Sequence, residues 1–362
     1  MNAFVVSFLS ALAFTLLIIK SSRSHGVFSA DHQLQGPQKF HSHPVPRIGG
    51  VSLLFAMVVS LTILGVGHSE WAPPLWLLLM CSLPAFVGGL AEDVSKRVSP
   101  GTRMTCTAVS AALAIWLLGG VIHRVDLPGV DFLLGFFPFA VLATVFTVAG
   151  IANAINIIDG FNGLASMCVM IMLAAMAFVA YQVGDTFIAT AALLTIGAVL
   201  GFFVWNFPAG LIFLGDGGAY LLGFLVAELS VLLLARNPTV SGLFPVLLCA
   251  YPIFETVFSI YRKKFLRGTS PGVPDGLHLH MLIYKRLMRW TLNGSGRQKT
   301  TRNSMTSPYL WLLCMLSVIP AVLYWDNTLV LGGFCLLFMA SYVFLYWRIV
   351  RFKVPKWLVV RR

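Results

Sequence analysis

Charge is what this chain has least of. Only 10% of its 362 residues are charged, and only 13 are Asp or Glu, where a soluble domain carries roughly 25% charged residues. That scarcity, with 58% hydrophobic residues, excludes a soluble globular protein. Cysteine is sparse and unpaired in sequence: Cys81, Cys106, Cys168, Cys249, Cys314 and Cys335 include no C-x-x-C pair and fall nearly all within apolar runs. They read as small buried hydrophobes, not as metal or disulfide positions. No basic stretch precedes the first apolar run, while Lys20 and Arg23 follow it. The pattern is that of an uncleaved first span, with its N-terminus outside, and not of a signal peptide. Internal repeats and low-complexity linkers are missing too, so residues 1–362 read as one domain.

What the chain does have is apolar runs of the length that crosses a bilayer, about 20 residues each. The runs predict eleven spans, near 2–20, 48–67, 74–91, 104–120, 132–151, 163–181, 186–204, 217–235, 241–261, 308–325 and 327–348. The fold class is an all-α integral membrane protein, N-terminus outside and C-terminus cytoplasmic. This layout puts 23 of the 25 Lys and Arg residues on one side, leaving only Arg124 and Arg236 on the other. The net charge of +12 is thus a positive-inside signal, which argues against nucleic-acid binding. The outer loop Val121 to Phe132 alternates apolar and polar residues around Pro128-Gly129, as a small β-hairpin would. Glycine pairs at 49–50, 88–89, 119–120, 217–218 and 332–333 predict close helix contacts or tight turns.

The residues with chemical potential gather on the basic side. Glu92 and Asp93 end the third span, followed by Lys96 and Arg97. Adjacent acids beside cations suit a Mg²⁺–phosphate site, or else an ordinary interfacial helix end. Asn153, Asn156 and Asp159 are spaced by three, which puts them near one helical face, with Asn162 and two glycines after them. Polar groups in an apolar stretch need partners, and a nucleotide is one that would satisfy them. Asp216 opens the eighth span between glycines, either as a helix cap or as a cation ligand. His278 and His280 lie in a Pro/Gly-rich segment ahead of a basic amphipathic stretch (Leu277, Met281, Leu282, Leu287, Met288, Trp290), suited to phosphate contact or proton transfer and to the lipid surface. Arg47, with Gly49 and Gly50, stands ready for a phosphate. Glu228 and Glu255 lie within spans and are set outside the core site.

Five motifs in this order, PVPRIGG, AEDVSKR, NAINIIDGFNGL, FLGDGG and PDGLHLH, resemble those of the polyprenyl-phosphate N-acetylhexosamine-1-phosphate transferase family, from the first span to about residue 290. The resemblance implies that undecaprenyl phosphate attacks the sugar-linked phosphate of a UDP-N-acetylhexosamine and releases UMP, on the cytoplasmic face of a bacterial inner membrane. It implies Asp216 as the Mg²⁺ ligand, with Mn²⁺ the alternative ion. It implies Asp93, Asp159, His278 and His280 as catalytic residues, and Arg47, Glu92, Lys96, Asn153, Asn156 and Asn162 as substrate-binding residues. Dimers are compatible with the resemblance.

Three positions depart from the family's pattern: Glu92 stands for the first Asp of an Asp-Asp pair, Asn162 for the second Asp of DG-x-DG, and Met281 for a further His. These departures resemble the branch that initiates O-antigen and other surface polysaccharides more than the peptidoglycan branch. Two rival classes are a transporter of an anionic solute, suited by Glu228, Glu255 and glycine-broken helices, and an inactive relative. Against transport, the polar residues collect at one face instead of the midplane.

Overall fold

The computed structural model describes residues 2–22, 26, 30–31, 44–270, 276–287 and 296–351. Its helices are α1 (Asn2–Lys20), α2 (Gly49–Val66), α3 (Ala72–Ser95), α4 (Pro100–Leu118), α5 (Pro128–Leu134), α6 (Phe137–Ile158), α7 (Leu164–Gln182), α8 (Thr186–Asn206), α9 (Gly215–Arg236), α10 (Leu243–Leu248), α11 (Ala250–Tyr261), α12 (Leu279–Leu282), α13 (Gly296–Leu323) and α14 (Thr328–Val350). π-helical turns Arg262–Leu266 and Ile283–Leu287 extend α11 and α12. Two-residue strands, β1 (Ala30–Asp31) and β2 (Val45–Pro46), pair antiparallel. Met288 and Trp290 of the expected amphipathic stretch lie outside the described residues.

Among the described residues, ten helices are long and apolar enough to cross a membrane. The chain is a multi-pass membrane protein. The ninth expected crossing, 241–261, is broken into α10 and α11 at Cys249. Pro252 in the first turn of α11 has no N–H to give to the carbonyl four residues back, so the helix restarts there instead of running through. Pro84 lies inside α3 without breaking it, because Ser110 Oγ on α4 accepts the Ala85 N–H at 3.0 Å. A neighbouring helix thus replaces the bond the proline disturbs.

Helix α9 is the axis of the bundle. Every residue from Gly215 to Leu234 is buried, packed chiefly between α3 and α6 with α2, α4, α7 and α8 around them. In lipid, apolar surface gives helices little reason to associate, so close backbone approach must do it. A Cβ on Gly50 would meet Gly218 N at 2.3 Å, and one on Gly89 would meet the Asp216 carbonyl carbon at 2.5 Å. The pairs 49–50, 88–89 and 217–218 therefore lock α2, α3 and α9 together. Gly119 has φ +71 and turns the chain out of α4. The pair 332–333 differs from expectation: Gly333 has nothing within 4 Å of a Cβ.

Two further expectations are corrected. Val121–Phe132 is not a hairpin: Pro128 opens the short helix α5, because its fixed φ and missing N–H suit a first helical position. The preceding segment uses its polar groups on another loop, with Arg124 donating to the carbonyls of Pro238 at 3.0 Å and Val240 at 2.6 Å. The fifth span consequently starts at Phe137 instead of 132. Arg236, the other cation at this end, pairs with Asp185 at 2.7 Å. Burial works to raise the Asp185 carboxyl, but Arg236, Asn237 and the Ile188 N–H together hold it below its ordinary value.

Gly50→Ala and Gly89→Ala should each destabilise the fold by about 1–3 kcal/mol, the range for forcing atoms into a packed interface. Thermal unfolding in detergent checks this, with Gly333→Ala expected to melt like the wild type.

Candidate active site

The site forms where the N-terminus of α9 meets the entry into α2 and the end of α3. Residues 46–50 and 213–214 run together as a short backbone ladder: Phe213 N–H donates to Pro46 O at 2.8 Å, Gly49 N–H to Phe213 O at 3.0 Å, and Gly50 N–H to Leu214 O at 2.9 Å. The PVPRIGG and FLGDGG motifs are thus one structural unit. Gly215 starts α9 with φ +76, and a Cβ there would lie 2.0 Å from the Arg47 carbonyl oxygen and 2.6 Å from an Asp93 carboxylate oxygen. Only glycine fits.

The first N–H groups of a helix lack intrahelical acceptors and carry a partial positive charge. Asp93, on the last turn of α3 and 1% exposed, supplies both acceptors. Its Oδ1 takes the Asp216 N–H at 2.9 Å and its Oδ2 the Gly217 N–H at 2.8 Å. This turns the Asp216 side chain toward two guanidinium groups. Arg47 Nη2 lies 3.1 Å from Asp216 Oδ1 and 3.5 Å from Asp93 Oδ1, and Arg103 pairs with Asp216 Oδ2. Arg103 also lies over the Tyr220 ring, 5.8 Å from its centroid, and Tyr220 OH donates to Asn153 Oδ1 at 3.1 Å.

Asn156 and Asp159 end α6 beside this cluster, both half-buried. Burial pushes the Asp159 carboxyl up to about 7, with Arg47 pulling the other way. His280 packs against the same turn: a Cβ on Gly160 would meet its Nε2 at 3.2 Å, and its ring lies edge-on to Phe161 at 5.7 Å. The His278 ring stacks on His280 at 5.3 Å. His280 is fully buried and His278 nearly so.

Arg47, Asp93, Asn153, Asp159, Asp216, His278 and His280 are thus brought to one end of the bundle. Three other candidates close turns or attach helices. Glu92 accepts the Val98 N–H at 2.7 Å and closes the turn after α3. Lys96 stands at a left-handed position (φ +57) and donates to Asp93 O at 2.5 Å. Asn162 is buried in a bracket away from the carboxylates. Its N–H donates to Asn303 Oδ1 at 2.8 Å, its Nδ2 to Ser304 Oγ at 3.1 Å, and its carbonyl accepts Ser307 Oγ at 2.6 Å. The amide joins the turn to α13, and an aspartate there would lose the donor.

Sequence reasoning passed over Arg103 as one more interfacial charge. Its signal was present: a cation in the first turn of a helix opposes the helix dipole and requires an acid partner. Glu255, set outside the core site, is bonded to His278 at 2.9 Å. Glu228 does stay apart, near Gly120 at the far end of α9, where a Cβ on that glycine would meet its Oε1 at 2.5 Å.

Acids, guanidiniums and imidazoles thus gather at one end of a bundle of crossing helices, an arrangement suited to binding phosphate. Residues 75–234 match glycosyl transferase family 4, the family that the sequence motifs resemble. It is 27% identical over 295 residues to the probable undecaprenyl-phosphate N-acetylglucosaminyl 1-phosphate transferase of Bacillus subtilis (strain 168), covering 80% of this chain and 78% of that protein. It is 27% identical over 256 residues to the undecaprenyl-phosphate alpha-N-acetylglucosaminyl 1-phosphate transferase of Thermotoga maritima, covering 70% and 72%. The phospho-N-acetylmuramoyl-pentapeptide-transferase of Staphylococcus carnosus is 26% identical over 245 residues, covering 64% and 76%.

Asp93→Asn should lower stability by about 1–3 kcal/mol, because an amide nitrogen then faces a buried backbone N–H. Asp159→Asn, whose carboxylate accepts no hydrogen bond from the described residues, should melt within about a degree of the wild type. Paired thermal melts in detergent give the comparison.

Proposed function

We propose that this protein transfers an N-acetylhexosamine-1-phosphate from a UDP-sugar to undecaprenyl phosphate, releasing UMP, with its site on the cytoplasmic face of a bacterial inner membrane. The observation that carries this reading is the convergence of Asp93, Asp216, Arg47 and Arg103 at the N-terminus of one buried helix. The relatives' names support the acceptor and the reaction class. The 23 basic residues on one side support the orientation. Glu92, Asn162 and Met281 support the branch that starts surface polysaccharides.

A divalent cation fits the donor set in one specific way. Among the described residues no three His, Cys, Asp or Glu side chains form an all-protein cage. Mg²⁺ characteristically takes one or two carboxylates and completes its shell with substrate phosphates and water. Asp216 would hold it, and when bound the ion would neutralise charge on the phosphoryl oxygens.

The remaining work falls to the chain. An oxygen of the lipid phosphate attacks the sugar-linked phosphorus of the diphosphate; a new P–O bond forms there as the bond to the UMP phosphate breaks. Both reactants are anions, so bringing them together is the main obstacle. Arg47 and Arg103, held in the substrate-free protein by Asp216, supply cations that can turn to phosphate oxygens and meet the charge building on the leaving UMP. The acceptor needs no strong base, since the second pKa of a phosphate monoester is about 6. Asp93 therefore orients, by fixing the start of α9 and with it Asp216. Asn156 and Asp159 hold the nucleotide, Asn153 supports them through Tyr220, and His278 meets the diphosphate. His280 sets the Gly160 turn behind it. Fixing both substrates in one geometry contributes a large share of the acceleration.

Purified protein given undecaprenyl phosphate, Mg²⁺ and a panel of UDP-N-acetylhexosamines should release UMP with at least one donor, and EDTA should stop it. Asp216→Asn should lose at least about 100-fold in turnover, the loss typical of removing a main electrostatic stabiliser, while still inserting normally. Wild-type turnover in that variant would remove Asp216 from the site.

A further inference from the structure

We propose that Glu255 is a positioning residue for His278, fixing which ring nitrogen carries the proton and where the ring points; this rests on the reading of His278 as a diphosphate contact. Glu255 lies on α11, 1% exposed. Three donors converge on its two oxygens. His278 Nδ1 and the Leu279 N–H both reach Oε1 at 2.9 Å, and Tyr342 OH, from α14, reaches Oε2 at 2.8 Å.

An ionised carboxylate only accepts hydrogen bonds, so the proton of this pair sits on His278 Nδ1. The other ring nitrogen, Nε2, then faces away from Glu255. Carboxylates placed behind imidazoles set tautomer and orientation in this way, and their removal commonly lowers activity 10–100-fold. Glu255, itself bonded to Tyr342, lies on one side of the ring, and His280 stacks on its face.

A purely structural role accounts for less. The backbone of the histidine segment is already clamped without Glu255. Arg262 donates to Leu277 O at 2.8 Å and to Tyr346 OH at 3.2 Å, and Tyr346 OH itself reaches Leu277 O at 3.4 Å. What Glu255 adds to this clamp is one further backbone bond, from the Leu279 N–H, and the bond to the imidazole. The chain breaks between α10 and α11, and it is α11 that carries Glu255.

The test uses the full chain in detergent, with transfer from the active UDP-N-acetylhexosamine to undecaprenyl phosphate. Glu255→Leu should lower kcat about 10–100-fold with KM for the nucleotide sugar within about twofold. Glu255→Gln, whose amide oxygen can still accept from Nδ1 and Leu279, should recover most of that loss. Tyr342→Phe, which removes only the outer bond and leaves the fold testable should Glu255→Leu fail to insert, should lose under about fivefold. In the His278→Gln background, Glu255→Leu should add no further loss, as expected for groups acting through one another. In ¹⁵N-histidine spectra, His278 should carry its proton on Nδ1 in the wild type and lose that preference in Glu255→Leu.

Wild-type kcat in Glu255→Leu, an additive loss in the His278→Gln background, or an unchanged tautomer would each overturn the positioning role. Full activity in His278→Gln would instead overturn the diphosphate role of His278. The ¹⁵N spectrum, which needs no turnover, tells the two failures apart.

Discussion

The site depends on one carboxylate closing one helix. Asp93 accepts two N–H groups in the first turn of α9, those of Asp216 and Gly217, and α9 is the helix around which the bundle packs. A helix end buried without acceptors would be costly in a low-dielectric setting. The acid that removes that problem also determines where Asp216 stands, and Asp216 in turn holds Arg47 and Arg103. Stability and chemistry are therefore coupled through a single side chain. The same packed glycines that let α2, α3 and α9 approach make the cap reachable.

The charges form an alternating arrangement and not a uniform patch. The Arg47 guanidinium lies between the carboxylates of Asp93 and Asp216, Arg103 pairs with Asp216, and Asp159 feels the same Arg47. Such an arrangement keeps cations ordered at a membrane surface before an anionic substrate arrives. Charges preset in this way need little reorganisation when phosphate replaces carboxylate as their partner. The opposite end of the bundle uses its few charges differently: Arg124 and Arg236 are tied to loop carbonyls and to Asp185, which closes that face.

The departures at Glu92 and Asn162 acquire a physical meaning in the fold. Glu92 has the reach to cap the turn at Val98 while Asp93 faces the helix. Asn162 uses its amide to attach the turn after α6 to the long helix α13. That attachment involves Asn303, Ser304 and Ser307, positions whose polarity looked like the end of a basic loop in the sequence.

Sequence alone determined the membrane class and, among the described residues, ten of the eleven expected crossings, because span length is a local quantity that bilayer thickness constrains directly. It also marked the packed glycine pairs, except 332–333. Tertiary structure alone decided the partners. Arg103 meets Asp216 across 113 residues, and Glu255 meets His278 only because α11 restarts after the break at Cys249. The Pro128-Gly129 pair reads equally well as a hairpin turn or a helix start, and the neighbouring loop settles it. Hydrogen bonds between distant side chains leave no periodicity in a sequence, since each end is an ordinary polar residue until the bundle sets both at one depth.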